Sequence, residues 1–499
     1  MKATKGFAAQ TSPKTRQERM PLFEALIRYA QQDVVPFDVP GHKMGAQMNP
    51  LKETLGDMAL RMDVNSMKEL DLLSHPQSVI KEAQELAAEA FGADHAYFLV
   101  NGTTVGIQAM IMAACKPGDT LLVPRNAHKS VMDGIIMSGT NPIFIQPEVD
   151  YRFGIAHSVT AEKAEALLDA HPETSAILIT YPTYFGSVGE LETICKAAHK
   201  RGVAVLVDSA HGAHLRFLPG HVPDALEAGA DAVTVSMHKT GGSLTQSSLL
   251  LVQGERVNPE RIQKMLGMLQ TTSANYLLMG SLDAARRELA LHGHEQYEAL
   301  QPLVFKAAEE IEAGGCYEIL KTSYMQDQYR QVHDWTKLVI RVNGLGMSGF
   351  DVYTLLKEKY GIQMELAEGY VVMAVVTSAD TEQSLGRLVE ALQDIERCAG
   401  EQPIILSTYV TADQENELAM TPRDAFYAEH ETAAIDDAIG RISADTLMIY
   451  PPGIPLVIPG ERISEDMVKQ YHYYSRAFGQ VLTESKKADH ITIVKGECK

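Results

Sequence analysis

Short apolar runs recur along the first half of the chain: "HAYFLV", "DTLLVP", "NPIFIQ", "SAILIT", "VAVLVD" and "DAVTVS". Each is nearly continuous rather than alternating, the pattern of a strand buried on both faces. Between most of them lie segments with apolar residues at helical spacing. "SVIKEAQELAAEAFG" ends on a glycine stop, and "TTVGIQAMIMAAC" reads as the next helix. This alternation, beginning near residue 76, predicts a largely parallel sheet with helices on both faces. Upstream, "RQERMPLFEALIRYAQQ" predicts an amphipathic helix, and the prolines and glycines of "PFDVPGHKMG" an irregular entry segment. Downstream, residues 275–315 read as a long helical bridge. Residues 315–400 mix strands ("TKLVIRV", "GYVVMAVV") with helices ("GFDVYTLLKEKY", "TEQSLGRLVEALQDIERC"), an α+β pattern. The last hundred residues carry "MTPRDAFYA" and "YPPGIPLVIPGE". The expected division is an entry segment (1–75), a large α/β domain (76–300), a small α+β domain (301–400) and a C-terminal domain (401–499).

Composition narrows the function classes. The 499 residues are 45% apolar and 22% charged, ordinary for a globular protein, and the formal net charge is −20. Such a surface repels nucleic acid and anionic membrane, and gives mild long-range attraction for cationic small molecules. Five scattered cysteines (Cys115, Cys195, Cys316, Cys398, Cys498) form no CxxC pair and no ligand spacing, so a reduced cytoplasmic protein without a metal site is expected. The N-terminal stretch lacks the apolar region of a signal peptide, and no apolar run of about 20 residues suggests a membrane span.

In an open α/β sheet, ligands sit outside the carboxyl ends of the strands, so the residues following each strand are the informative ones. After "HAYFLV" come Asn101, Gly102, Thr103 and Thr104 and then a helix, a combination that suits an anion or a plain helix cap. After "DTLLVP" comes Arg125-Asn126-Ala127-His128, whose histidine could stack on a flat ligand or satisfy its own loop. After "VAVLV" comes Asp208, a carboxylate at the end of a buried strand that needs a cation or strong donors. After "DAVTVS" comes Met237-His238-Lys239, a lysine whose partial desolvation would make it a nucleophile toward a carbonyl. Singly, each has an ordinary structural explanation. Together, a phosphate nest, an aromatic stacker, a carboxylate and an amine on one sheet edge are what pyridoxal 5′-phosphate requires.

At these residues the sequence resembles a known family. "TVSMHKTGGSLTQSS" is similar to the cofactor-attachment segment of the bacterial ornithine/lysine/arginine decarboxylases, and "FDVPGHKMG", "VNGTT", "PRNAHKS", "MTPRDAFYA" and "PPGIPLVIPGE" resemble the same family. The likeness is strongest to the short bacillar form that acts on arginine. It implies an α/β fold, the pyridoxal-phosphate transferase fold type I, with a mostly parallel seven-stranded sheet and smaller α+β C-terminal domains. It also implies the site. Lys239 would hold the cofactor covalently, Asp208 would pair with the ring nitrogen, and His128 would stack on one ring face with Ala210 on the other. His211 would approach the phenolic oxygen. Gly102, Thr103, Thr104, Ser236 and His238 would surround the phosphate. The run Thr271-Thr272-Ser273 would reach a partner subunit's phosphate, making a homodimer or higher oligomer with sites at the interface. Two departures stand out: Ser209 where many relatives have glutamate, and Tyr181 where many have asparagine.

The reaction so implied is decarboxylation of a basic L-amino acid, arginine to agmatine ahead of lysine or ornithine, in polyamine synthesis. Lys239 or His238 would return the proton to Cα. An acidic group is needed for the substrate's distal cation; Glu461 ranks first, with Glu69 and Asp71 behind it. The competing readings are another enzyme of the same fold, such as an aminotransferase, and a non-catalytic homologue.

Overall fold

All six apolar runs form strands: His95–Leu99 (β1), Thr120–Pro124 (β2), Asn141–Ile145 (β3), Thr174–Thr180 (β4), Ala204–Asp208 (β5) and Ala232–Val235 (β6). In the computed structural model, which describes residues 16–46, 50–220, 222–398, 416–449, 454–478, 481–483 and 485–496, a seventh strand joins them. This is Ser248–Val252 (β7), at the tail of the hydroxyl-rich stretch after Lys239. The sheet order is β1-β7-β6-β5-β4-β2-β3. The pairings among β2 to β6 are parallel, whereas β7 runs antiparallel to both β6 and β1. The reversal has a simple cause. Residues 236–247 join β6 to β7, and their helix, Met237–Thr240, is a single turn, too short to carry the chain back along the sheet as a parallel crossover does.

The strands are buried on both faces, as their composition predicts. One face packs on the helix Gly102–Ala114 through residues such as Val105, Met110 and Leu121. The other packs on a larger core containing Ile177, Val205 and Val233. The N-terminal amphipathic helix is shorter than its pattern suggests. Residues 16–17 are helical, the helix breaks at 18–20, and it restarts at Pro21, where proline's missing N–H suits the first helical position.

The bridge comprises the helices Tyr276–Glu288 and His294–Glu312, joined by a π-helical turn at Leu289–Gly293. It leads to an antiparallel sheet in the order Glu318–Ile319, Lys337–Arg341, Val371–Val375, Leu366–Ala367. The C-terminal region pairs His430–Ala434 with His490–Val494, and Leu447–Ile449 with both Ile454–Val457 and Val481–Leu482. It has its own apolar core around Leu447, Tyr471 and Ile491. Among the described residues, no helix is long and apolar enough to cross a membrane, and no cluster of three or more His, Cys, Asp or Glu is placed to hold a metal ion. Cys498 lies outside the described residues.

Candidate active site

The carboxyl ends of β2, β4, β5 and β6 open on one cleft of about 660 Å³, part of it continuous with solvent. Lys239 reaches it from a four-residue helical turn, Met237–Thr240. Gly242, at φ +87°, turns the chain away afterwards in a conformation that other residues rarely adopt. Lys239 Nζ lies 2.8 Å from His211 Nε2. The surrounding protein lowers the lysine pKa, chiefly through desolvation; Asp208 and Glu365 oppose that effect.

His211 is buried, and its pKa lies well below that of a free imidazole. Loss of solvent is the main cause and the charge on Lys239 the next, so the ring is neutral near pH 7. Its Nδ1 is buried without a partner. The ring of Tyr184 meets it nearly edge-on, with centroids 4.6 Å apart. Asp208 closes β5 and is 4% exposed, and its Oδ1 accepts the Ala210 N–H at 3.1 Å. His128 caps the helix Lys129–Ser138, with Nδ1 held by the Ser130 hydroxyl at 2.8 Å and accepting the Ser130 N–H. Desolvation lowers its pKa, partly offset by Asp208.

The helix Gly102–Ala114 starts beside the same cleft. Gly102 has φ +70°, and a Cβ built there would meet no atom within 4 Å, so space is open at the helix N-terminus. The Thr103 and Ser236 hydroxyls lie 3.2 Å apart. Two hydroxyls near a helix start suit an oxyanion, a buried carboxylate suits a protonated ring nitrogen, and a desolvated amine suits an aldehyde. The donor set therefore fits a flat ring bearing a phosphate and a carbonyl.

Of the residues expected from the sequence, Thr103, His128, Asp208, Ala210, His211 and Lys239 all line this cleft. Ser236 joins through Thr103, and Gly102 and Thr104 stand at the same helix start. His238 is not among the cleft-lining residues; its Nδ1 is bonded to the Ser247 carbonyl at 3.0 Å. Thr271, Thr272 and Ser273 are exposed on a loop and do not line their own chain's cleft.

The acidic candidates need correction. Glu461 does not line the cleft. It is fully buried and its Oε2 pairs with Arg125 at 3.1 Å. Asp71 accepts the N–H groups of Leu72, Gln77, Ser78 and Ile80 at the start of the helix Val79–Phe91, so it is a cap. Glu69 is exposed and lies outside the cleft. Tyr181 is buried and donates to the Pro223 carbonyl, whereas Tyr184 and Phe185 line the cleft wall. That wall follows β4, so the strand-end rule could have found it. Ala156 and Ile454 also line the cleft, and they carry no such signal because neither follows a strand of the central sheet.

Comparison with known proteins agrees with this geometry. The family model for the Orn/Lys/Arg decarboxylase major domain matches residues 20–384, and that for the C-terminal domain matches residues 406–482. An arginine decarboxylase of Halalkalibacterium halodurans is 44% identical over 472 residues, covering 93% of this chain and 95% of that protein. An arginine decarboxylase of Bacillus subtilis is 43% identical, covering 91% of this chain and 93% of that protein. Among solved structures, the Francisella novicida lysine decarboxylase superposes with a TM-score of 0.81 at 19% identity, over 96% of this chain and 82% of that one.

Proposed function

Because the chain belongs to the Orn/Lys/Arg decarboxylase family and is a decarboxylase of basic amino acids, we propose that it converts arginine to agmatine with pyridoxal 5′-phosphate bound in the cleft. The observation that carries this reading is the convergence of Lys239, His211, Asp208 and His128 on one cleft beside the Thr103–Ser236 hydroxyl pair. The preference for arginine rests on the relatives at 42–44% identity, which carry that name.

The residues divide the work as follows. Lys239 Nζ attaches the cofactor, and its lowered pKa makes the neutral, nucleophilic amine more available near pH 7. Asp208 would face the ring nitrogen and hold a proton there by charge attraction. His128, fixed by Ser130, would pack on one ring face and Ala210 on the other; both line the cleft. The N-terminus of the helix Gly102–Ala114, with the Thr103 and Ser236 hydroxyls, receives the phosphate. When bound, the cofactor supplies an electron-withdrawing ring that accepts the electron pair left at Cα as CO₂ departs. Lys239 Nζ, freed when the substrate's α-amine takes its place, would carry that amine's proton as an ammonium and return it to Cα, with His211 Nε2 at 2.8 Å as its exchange partner. His238 is a weaker candidate for that step, since its ring is bonded to Ser247 and is absent from the cleft lining.

The test is direct. The purified protein is incubated with pyridoxal phosphate and reduced with borohydride, then given arginine, lysine and ornithine in turn. The expected result is a pyridoxyl group on Lys239 and preferential release of CO₂ and agmatine from arginine. Dependence of turnover on an α-keto acid would instead make the protein an aminotransferase, and absence of the adduct would overturn the site.

A further inference from the structure

Arg125 directly follows the strand Thr120–Pro124, just before Asn126 and His128, and it is 3% exposed. A buried guanidinium must find acceptors. They come from the far end of the chain. Nη1 donates to the Pro455 carbonyl at 2.8 Å, and Nη2 donates to the Leu456 carbonyl at 2.9 Å and to Glu461 Oε2 at 3.1 Å. The same Glu461 oxygen accepts the Ile458 N–H at 3.0 Å, so the carboxylate clasps its own segment as well as the arginine. The Phe144 ring lies 5.5 Å from the guanidinium carbon.

The two segments joined here form opposite parts of one wall. The strand Ile454–Val457, whose carbonyls Arg125 holds, presents Ile454 to the cleft. The loop that Arg125 begins presents Asn126 and His128. Buried ion pairs are weak sources of stability, because desolvation cancels much of the attraction. Stability alone therefore gives this pair little reason to exist, while its location gives it one.

We propose that the Arg125–Glu461 pair is a positioning device for the active site, holding the C-terminal strand Ile454–Val457 against the loop Arg125–His128 so that Ile454 and His128 keep their places in the cleft. Neither residue touches the substrate. The planar fork of arginine suits three acceptors at once, which the point charge of lysine cannot match. The inference rests on the decarboxylase reading for its kinetic readout only.

The experiment compares the wild type with Arg125→Lys, Ile454→Ala and the double variant Arg125→Met/Glu461→Met. Replacing both partners by apolar side chains is often neutral for folding, so the double variant is expected to unfold cooperatively near the wild-type temperature. In the apo protein, the amides of Leu456, Val457 and Ile458 are expected to exchange faster. In the loaded enzyme, kcat/KM for arginine is expected to fall about 10- to 100-fold, through both KM and kcat, since a misplacement of about 1 Å can cost about 100-fold. Arg125→Lys should fall between, and Ile454→Ala should reproduce the KM part. If the double variant does not fold, Glu461→Gln carries the same readouts. Wild-type protection of residues 456–458 overturns the proposal, as does an unchanged KM with activity lost only in proportion to unfolded protein. Failure of the wild type to decarboxylate arginine would overturn the substrate assignment instead, and the exchange measurement would still decide the latch.

Discussion

Lys239 and His211 show how much chemistry rests on two nitrogens 2.8 Å apart. Both pKa values are lowered, mainly by desolvation, which brings the lysine closer to the range in which it can take up and give back a proton. Lys239→Ala is expected to abolish the borohydride-stable adduct and to lower turnover by about 10³-fold or more, since residues that act as a unit fail together. His211→Phe separates the two roles. It should keep the adduct, because Lys239 remains, yet lower kcat by about 10²-fold, the lower end of what a proton-transfer group supplies. Full turnover in that variant would remove His211 from the proton path. Lys239 and Asp208 stood out in the sequence because Asp208 closes one buried strand and Lys239 follows another within four residues, where a charged residue is costly without a purpose. Glu461 was singled out on other grounds. A carboxylate in a family-like motif resembles a substrate ligand until its partner is known, and that partner, Arg125, stands 336 residues away.

At the scale of elements, the strands announced themselves because they are buried on both faces and therefore nearly all apolar. β7 did not. Its "SLLLV" follows directly on the hydroxyl-rich segment, with no intervening helical pattern to mark a new element. The start of the helix Gly102–Ala114 was legible as a glycine before two hydroxyls, but its left-handed φ of +70° was not. Gly102→Ala meets no neighbour, so its cost is confined to backbone strain of about 1 kcal/mol or more, read as a lower thermal midpoint with weaker retention of pyridoxal phosphate. A second element-scale prediction concerns the turn joining Leu366–Ala367 to Val371–Val375. Glu368 is buried there and desolvation pushes its carboxyl up to about 8. The folded state then keeps a proton that the unfolded chain gives up at ordinary carboxylate pH. Stability from this group is complete below the unfolded pKa and is lost as pH rises toward 8. Urea unfolding should show a decline of roughly 2–5 kcal/mol between about pH 5 and pH 8, as a shift of several pKa units implies. Glu368→Gln should flatten it, and an equally steep decline in that variant would assign the pH dependence elsewhere.

The whole molecule carries 64 acidic against 44 Lys and Arg residues, a net charge of −20. Few of those acids line the cleft; Asp208 does, and Glu365 sits at its edge, held by the Tyr184 hydroxyl at 2.9 Å. The attraction felt by an incoming arginine is therefore a property of the entire surface rather than of one pocket residue, and a field of that kind is screened by salt. Raising ionic strength from about 0.01 M to about 0.5 M shortens the screening length from about 30 Å to a few ångströms, so the long-range contribution disappears while contacts inside the cleft survive. KM for arginine is expected to rise several-fold over that range with kcat nearly constant, because steering acts before the substrate is bound. Citrulline has nearly the same shape as arginine but no distal charge and no net charge. Its inhibition constant, measured against arginine and corrected for the shift in KM, should therefore change little with salt. If citrulline and arginine weakened in parallel, salt would be acting on the protein itself, and the acidic surface would have no part in substrate capture.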